Sequence, residues 1–461
     1  MSPDLYCRQD KAAPSSGARH VRVPSAGLVS PRSTTEDPNF CLSKCKIGDW
    51  TTVYVTQKHF ECCSRREAMP NKSNLRLFEL VLLIIFAAVI LPLSQVVHAQ
   101  ATQVQSIPAD SSRWELEGQA KVNEYQNRKS LLLDGGAATL KDLQMRDAVI
   151  DVDVATPAKR GFFGIQFRLT DDGANGEWVY LRQHKSGLPD AIQYTPVLNT
   201  GLNWQIYNGP GFTAAVDIPT DVWFHLRVEV AGAQAKLYVK DMDKPVLVMN
   251  DLKSGVQQGR IALYVLTGAT YFSNFEVHET SPVNWERHNP AMPPDTLIKW
   301  SLSPSYDALT RNLERPLTKA EANTIKWQDV EAEPPGFVVL YRYREAPHLR
   351  VSFANDFSKR LEPQPGMRVV YARTTIETDR DQVKKLYIGY SDDVSVFLNG
   401  RILYRGRSAQ YFRDPGFLGI VNPDNDVIYL PLRKGHNELM LAVSEIGGGW
   451  GFICRLTDFE N

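Results

Sequence analysis

Apolar and polar residues alternate with period two through most of the chain beyond residue 110. "AVIDVDVAT" (148–156), "GFFGIQFRLT" (161–170), "EWVYLRQH" (177–184), "AIQYTPV" (191–197), "WFHLRVEVAG" (223–232), "QAKLYVKD" (234–241), "GRIALYVL" (259–266) and "ATYFSNFEVHE" (269–279) each read as a strand with one face turned inward. Turn clusters such as "TDDGANG" and "NGPG" separate them, and residues 112–278 show no helical periodicity. A second run covers 298–304, 325–333, 336–344, 367–379, 384–406, 425–445 and 450–458, with a hairpin turn at Asn399-Gly400. Between the runs, "SPVNWERHNPAMPPDT" (281–296) carries four prolines and no pattern, and reads as a linker. The expectation is an all-β chain of two antiparallel β-sandwiches, 100–280 and 297–461.

Composition changes the picture mainly at the front. Five of the six cysteines lie within residues 1–63. Lys72 and Arg76 precede an unbroken apolar run of twelve residues, Leu80–Leu91, then Pro92 and a small-residue site ending at Ala99. That is the layout of a secretory signal peptide over 69–99, and the run is short of the roughly 20 residues a membrane span needs. The segment begins at Met69, so 1–68 reads as an upstream translation artefact or a disordered stretch. A cytosolic segment with a single-span anchor is the alternative. Cys41, Cys45, Cys62 and Cys63 lack zinc-site spacing. Residues 1–99 hold 12 of the 52 basic and 8 of the 52 acidic residues, leaving 40 and 44 for the remainder. There is no basic excess for nucleic acid. One cysteine, Cys454, remains, so the exported portion relies on apolar cores rather than disulfides.

Two stretches carry resemblances. "SSRWELEGQAKVNEYQNRKSLLLDGG", "RDAVIDVDVATPAKRGFFGIQFRL" and "PTDVWFHLRVEVAGAQAKLYVKDMDKPVL" together resemble the concanavalin A-like jelly-roll family of laminin-G and related domains, including that of 3-keto-disaccharide hydrolases, over about 105–280. "GYSDDVSVFLNGRILYRG", "LPLRKGHNELMLAVSE" and "GGGWGFICRLTD" resemble the galactose-binding-like jelly roll over about 295–461. These resemblances imply carbohydrate as the partner, and the signal-peptide layout implies a secreted, periplasmic or cell-surface location.

Candidate chemistry concentrates in residues 178–212. Flat aromatic faces stack on sugar C–H patches, and side chains such as Arg, Asp and Gln match paired hydroxyls. Trp178, Tyr180, Arg182 and His184 share strand parity, and Gln193, Tyr194 and Trp204 follow. These seven residues are the expected ligand-binding set, against the alternative that the aromatics are core. His184 with Asp190 is the candidate acid–base pair if the groove is catalytic. Asp147, Asp151 and Asp153 lack a glucanase carboxylate pattern and read as a solvated strand face. "TDDGANGE" (170–177) reads as a turn rather than a calcium loop, and no metal or cofactor is expected. Asp392, Asp393 and Asn399 read as turn-capping, and Trp450 as a plug of the sandwich end. The leading expectation is an exported carbohydrate-binding protein without catalysis of its own. The alternatives are a glycoside hydrolase of the 3-keto-glycoside type and a structural or adhesion protein.

Overall fold

The computed structural model describes residues 104–284, 286, 290–346 and 366–459. The expected leader (69–99) and the segment before it lie outside the described residues. The described residues fall within one compact unit.

Residues 105–279 build a 14-stranded antiparallel sheet that folds back on itself. Its path runs Leu247–Met249, Gln234–Val239, Phe224–Ala231, Ala148–Ala155, Thr270–Glu279, Arg128–Leu140, Arg260–Thr267, Phe162–Leu169, Gly176–Leu181, Ile192–Leu198 and Gly201–Leu202. The fold line lies in Arg128–Leu140. Leu131–Leu133 pair with Thr270–Phe272, while Gly136–Thr139 pair with Ala262–Val265. Gly135 makes the bend at φ +84°, a conformation that disfavours a side chain, and a Cβ on nearby Gly118 would meet Gly135 O at 2.6 Å, so that position has no room for one. Between the two halves lies one core. Ala148, Ile150, Val152 and Val154 enter it fully buried from one side, and Phe163, Ile165, Val179, Leu181 and Tyr194 from the other. Period-two patterning and observed strands agree best where one face is buried, as in Ala148–Ala155 and Phe224–Ala231, whereas Gly176–Leu181 and Ile192–Leu198 are buried on both faces.

The second run forms a 7-stranded and a 4-stranded sheet around a second core that holds Trp300, Tyr390 and Phe452. The Asn399-Gly400 turn has both residues at positive φ, as a two-residue hairpin demands. Trp450 is fully buried, donating Nε1–H to Val443 O at 3.2 Å.

Two expectations are corrected, and one element is added. The strand read as 177–184 ends at Leu181, and Gln183–Lys185 turns as a 3₁₀ helix. A short α-helix, Lys319–Thr324, starts at a Thr318/Glu321 capping box that was visible as T-x-x-E but went unread. Asp147 is not on a solvated face: it is buried, pairs with fully buried Arg168 at 2.8 Å, and accepts the N–H groups of Gly232 and Val283. Val283 belongs to the expected linker, whose described part is thereby tied to the first core, while Thr296 bridges to Arg455 of the second.

Candidate functional site

The register puts an aromatic layer on the outer face of the first sheet. Trp178 lies opposite Gln166 and Thr195, and Tyr180 opposite Gly164 and Gln193. Tyr264 reaches the same layer from the next strand, opposite Gly164. Trp178 and Tyr180 stack with centroids 4.1 Å apart, and Tyr264 meets Trp178 edge-on at 5.1 Å. Phe162, Leu202 and Tyr264, each half-buried, close the layer.

Arg182 follows the end of the strand and folds back over these rings. Its guanidinium carbon lies 5.0 Å from the Tyr180 ring, 5.7 Å from Trp204 and 5.9 Å from Phe162. Its N–H groups donate to Tyr180 Oη at 2.8 Å, to Asp190 O at 2.7 Å and to Asp190 Oδ2 at 3.1 Å. A cation held among three π faces and anchored by directed hydrogen bonds is a rigid element. Trp204 arrives from the loop after Gly201–Leu202. That loop is held by Asn203, whose N–H donates to Thr195 Oγ1 at 3.0 Å and whose side-chain amide donates to Gly201 O at 3.1 Å.

The expected ligand-binding residues thus fall into three groups. Trp178, Tyr180 and Arg182 are brought together but buried, at 1%, 3% and 4% exposure, as a supporting layer. Gln193 and Tyr194 are fully buried and do not join them at the surface. Gln193 Nε2 donates to Tyr194 O and Tyr207 O, both at 2.8 Å, and so anchors the loop. Tyr194 points into the core, where its hydroxyl donates to Glu177 Oε2 at 2.7 Å and accepts the Lys253 N–H at 2.6 Å. Only half-buried Trp204 and exposed His184 present surface. The open rim is therefore Trp204, His184, Phe162 and Tyr264. The last two went unread because "GFFGIQF" and "IALYVL" look like core strands, and their outer parity acquires meaning only beside Trp178.

The candidate acid–base pair is not assembled. Asp190 is engaged by Arg182 and by Lys185 instead. His184 packs edge-on to Phe162 at 5.1 Å. Partial burial, then the charges of Arg160, Lys185 and Arg182, push its pKa down to about 4, so the ring is a neutral imidazole near neutral pH.

The remainder of the 186–212 stretch is a seam between the sandwiches. Leu198, Ile206 and Tyr207 belong to the second core. Gln205 donates its N–H to Gly448 O and its amide N–H to Leu418 O, both at 3.0 Å, and accepts Ser391 Oγ–H at 2.9 Å. Asn199 Nδ2 donates to Tyr341 O at 2.6 Å. The Tyr207 hydroxyl donates to Glu333, and Arg342 bonds Glu333 Oε2 at 2.6 Å, Tyr207 Oη at 3.1 Å and Lys253 O at 2.7 Å. The Gly, Asn and aromatic density of the stretch is explained by this double duty: turns that cap one sandwich and side chains that enter the other.

Asp151 and Asp153 form a different cluster on the opposite sheet half. They bracket His225, at 2.8 Å from Nε2 and 2.7 Å from Nδ1, and the two hydrogen bonds raise its pKa to about 9. Arg227 and Arg128 complete the neutralisation, so this face is an ion network rather than a bare solvated strand. The Asp172 carboxylate is spent on Thr170 Oγ1 and the Ala174 N–H, in keeping with a turn. Among the described residues no cluster of three His, Cys, Asp or Glu side chains is placed to hold a metal ion.

No protein-family model matches the chain, and no curated protein matches it either. Solved structures do. The carbohydrate binding module CBM66 from Bacillus subtilis is 18% identical, with 37% of this chain and 98% of that chain covered and a TM-score of 0.31. A protein of unknown function with a galectin-like fold, also from Bacillus subtilis, is 12% identical, with coverage of 39% and 96% and a TM-score of 0.31. A Bacillus licheniformis beta-glucanase is 10% identical, with coverage of 40% and 100% and a TM-score of 0.29.

Proposed function

We propose that the protein binds carbohydrate, without catalysis of its own, at the rim formed by Trp204, His184, Phe162 and Tyr264. The observation that supports this reading is the Arg182 guanidinium locked among Tyr180, Trp204 and Phe162, with Trp204 left half-exposed. A ring that is already held in place loses little freedom when a sugar stacks on it, so the cost of ordering the site is met on folding. Trp178, Tyr180 and Arg182 act as the support of the rim. Gln193 and Tyr194 act through the loop they position. Binding is the better reading than hydrolysis because Asp190 is tied to Arg182 and Lys185 rather than to His184, so the candidate acid–base pair is not formed. The leader-like segment at 69–99 supports a location outside the cytoplasm, and the strand order supports a concanavalin A-like sandwich followed by a galactose-binding-like one.

The test is a glycan array and a turnover screen on the same panel, repeated with Trp204→Ala and with circular dichroism as a folding control. Binding without turnover, weakened about tenfold or more in Trp204→Ala, is expected from the loss of one stacked ring. Turnover lost in His184→Ala would establish the hydrolase alternative. Binding that ignores Trp204 would place the site elsewhere, and silence on every glycan would favour a scaffold.

A further inference from the structure

The two sheets of the second sandwich end on one side in Arg401–Arg407 and Asp426–Leu432, each an edge strand. At one end of that side Tyr390 Oη donates to Asp426 Oδ2 at 2.9 Å and lies 3.3 Å from Tyr404 Oη, which ties the two edges together. At the other end a cleft of about 530 Å³ opens, a size within the range of small-molecule sites. Its lining is largely aliphatic. Leu398 and Leu432 are buried in it, while Val383, Leu403 and Pro431 are exposed. The strand Arg401–Arg407 holds Ile402 and Leu403 in the open at 41% and 36% exposure, where an edge strand usually carries charge. No aromatic ring is among the described residues that line the cleft, so it lacks the flat face on which a sugar stacks. Two exposed arginines line it as well, Arg401 after the Asn399-Gly400 turn and Arg433 before Gly435. Neither guanidinium has a hydrogen bond, ion pair or ring contact among the described residues. Asp381 is the acid of the lining, and its Oδ1 accepts the Lys434 N–H at 2.7 Å. The acids next along these turns have other partners: Asp379 lies 4.0 Å from Arg380, Glu377 3.1 Å from His436 and Glu438 3.8 Å from Arg373. A guanidinium fork matches a carboxylate or phosphate group with two parallel hydrogen bonds.

We infer that this cleft is a second binding site, independent of the Trp204 rim, for an amphipathic anion. The aliphatic chain of the ligand covers Val383, Leu403 and Pro431, and its carboxylate or phosphate head is held by Arg401 and Arg433. Burial of the apolar surface supplies affinity, and the two arginines supply the choice of head.

Titration calorimetry on the full chain decides it. The probes are decanoate and decyl phosphate, each below its micelle concentration. Tetraethylene glycol monodecyl ether presents the same tail under a neutral head, and acetate presents the head without the tail. The expected result is one molecule bound per chain, with an anionic decyl probe about tenfold or more tighter than the ether and than acetate. Arg401→Ala combined with Arg433→Ala, at two exposed side chains, should remove most of the gap to the ether. Leu403→Ser should weaken every decyl probe, and Trp204→Ala should change none. Which of decanoate and decyl phosphate binds tighter identifies the head. Equal affinity for the ether, acetate binding as tightly as decanoate, an anion preference that survives the double substitution, binding lost in Trp204→Ala, or no binding of any probe overturns the inference. The saccharide reading stands or falls separately, on the glycan array.

Discussion

Glu445 offers a direct test of how the second sandwich is held together at the seam. Its carboxyl is 6% exposed and accepts the hydroxyl proton of Tyr341. Burial, together with the nearby Asp392 carboxylate, raises its pKa from 4.5 to about 8. A carboxylic acid raised on folding binds its proton more tightly in the folded state. Its contribution is therefore complete below the unfolded value of 4.5 and is lost as pH rises through about 8. At about 1.4 kcal/mol for each pH unit, the rise corresponds to a ceiling of about 5 kcal/mol. Asp392 is raised to about 7 by burial while accepting the N–H groups of Ile446 and Gly447, and because the two acids repel, their effects do not simply add. Glu445→Gln keeps an oxygen for the Tyr341 hydroxyl and removes the titration. Urea unfolding of parent and variant, followed by tryptophan fluorescence from pH 5 to pH 9, gives the comparison. The variant should cost about 1 kcal/mol at pH 5, the scale of one altered hydrogen bond. It should become the more stable protein, by a few kcal/mol, at pH 9. Other groups that lose stability over this range, His225 among them, are common to both proteins and cancel in the difference. Parallel curves for parent and variant would refute the reasoning.

Two further expectations follow from packing. Asp147→Asn removes the ion-pair partner of buried Arg168 and should lower the unfolding free energy by about 3–5 kcal/mol, whereas Asp147→Leu with Arg168→Met should recover much of that loss; a single-variant cost below about 1 kcal/mol in urea unfolding would contradict the buried-pair assignment. Gly201→Ala places a Cβ about 2.4 Å from the Tyr341 ring, so it should destabilise by about 1–3 kcal/mol and loosen the seam, read as faster hydrogen exchange at Gln205 and Ile206; unchanged exchange would place the two sandwiches apart.

Much of the architecture was legible because a strand with one buried face writes its orientation into alternate residues. Val152 and Asp153 need no tertiary information to be assigned to opposite faces, and Asn399-Gly400 declares its own turn. The candidate site was legible only in part. Alternation grouped Trp178 with Tyr180 correctly, but it could not show that the loop carrying Trp204 closes over them, because both an open groove and a covered layer have the same parity. It puts Tyr194 and Gln193 on opposite faces, but it could not show that both faces are covered there, so that both side chains are fully buried.

What the chain alone determined, then, is local: strand, turn, face and the absence of a charge excess. Each depends on neighbours a few residues away or on composition. What the tertiary structure decided is every assignment that depends on a partner distant in sequence. Asp147 meets Arg168, Asn199 bonds Tyr341, and Gln205 bonds Leu418 and Ser391 across the seam. Burial, pKa and accessibility all follow from such long-range contacts, so which residues of 178–212 reach the surface and which enter the seam between the two sandwiches was decided only when the sheets came together.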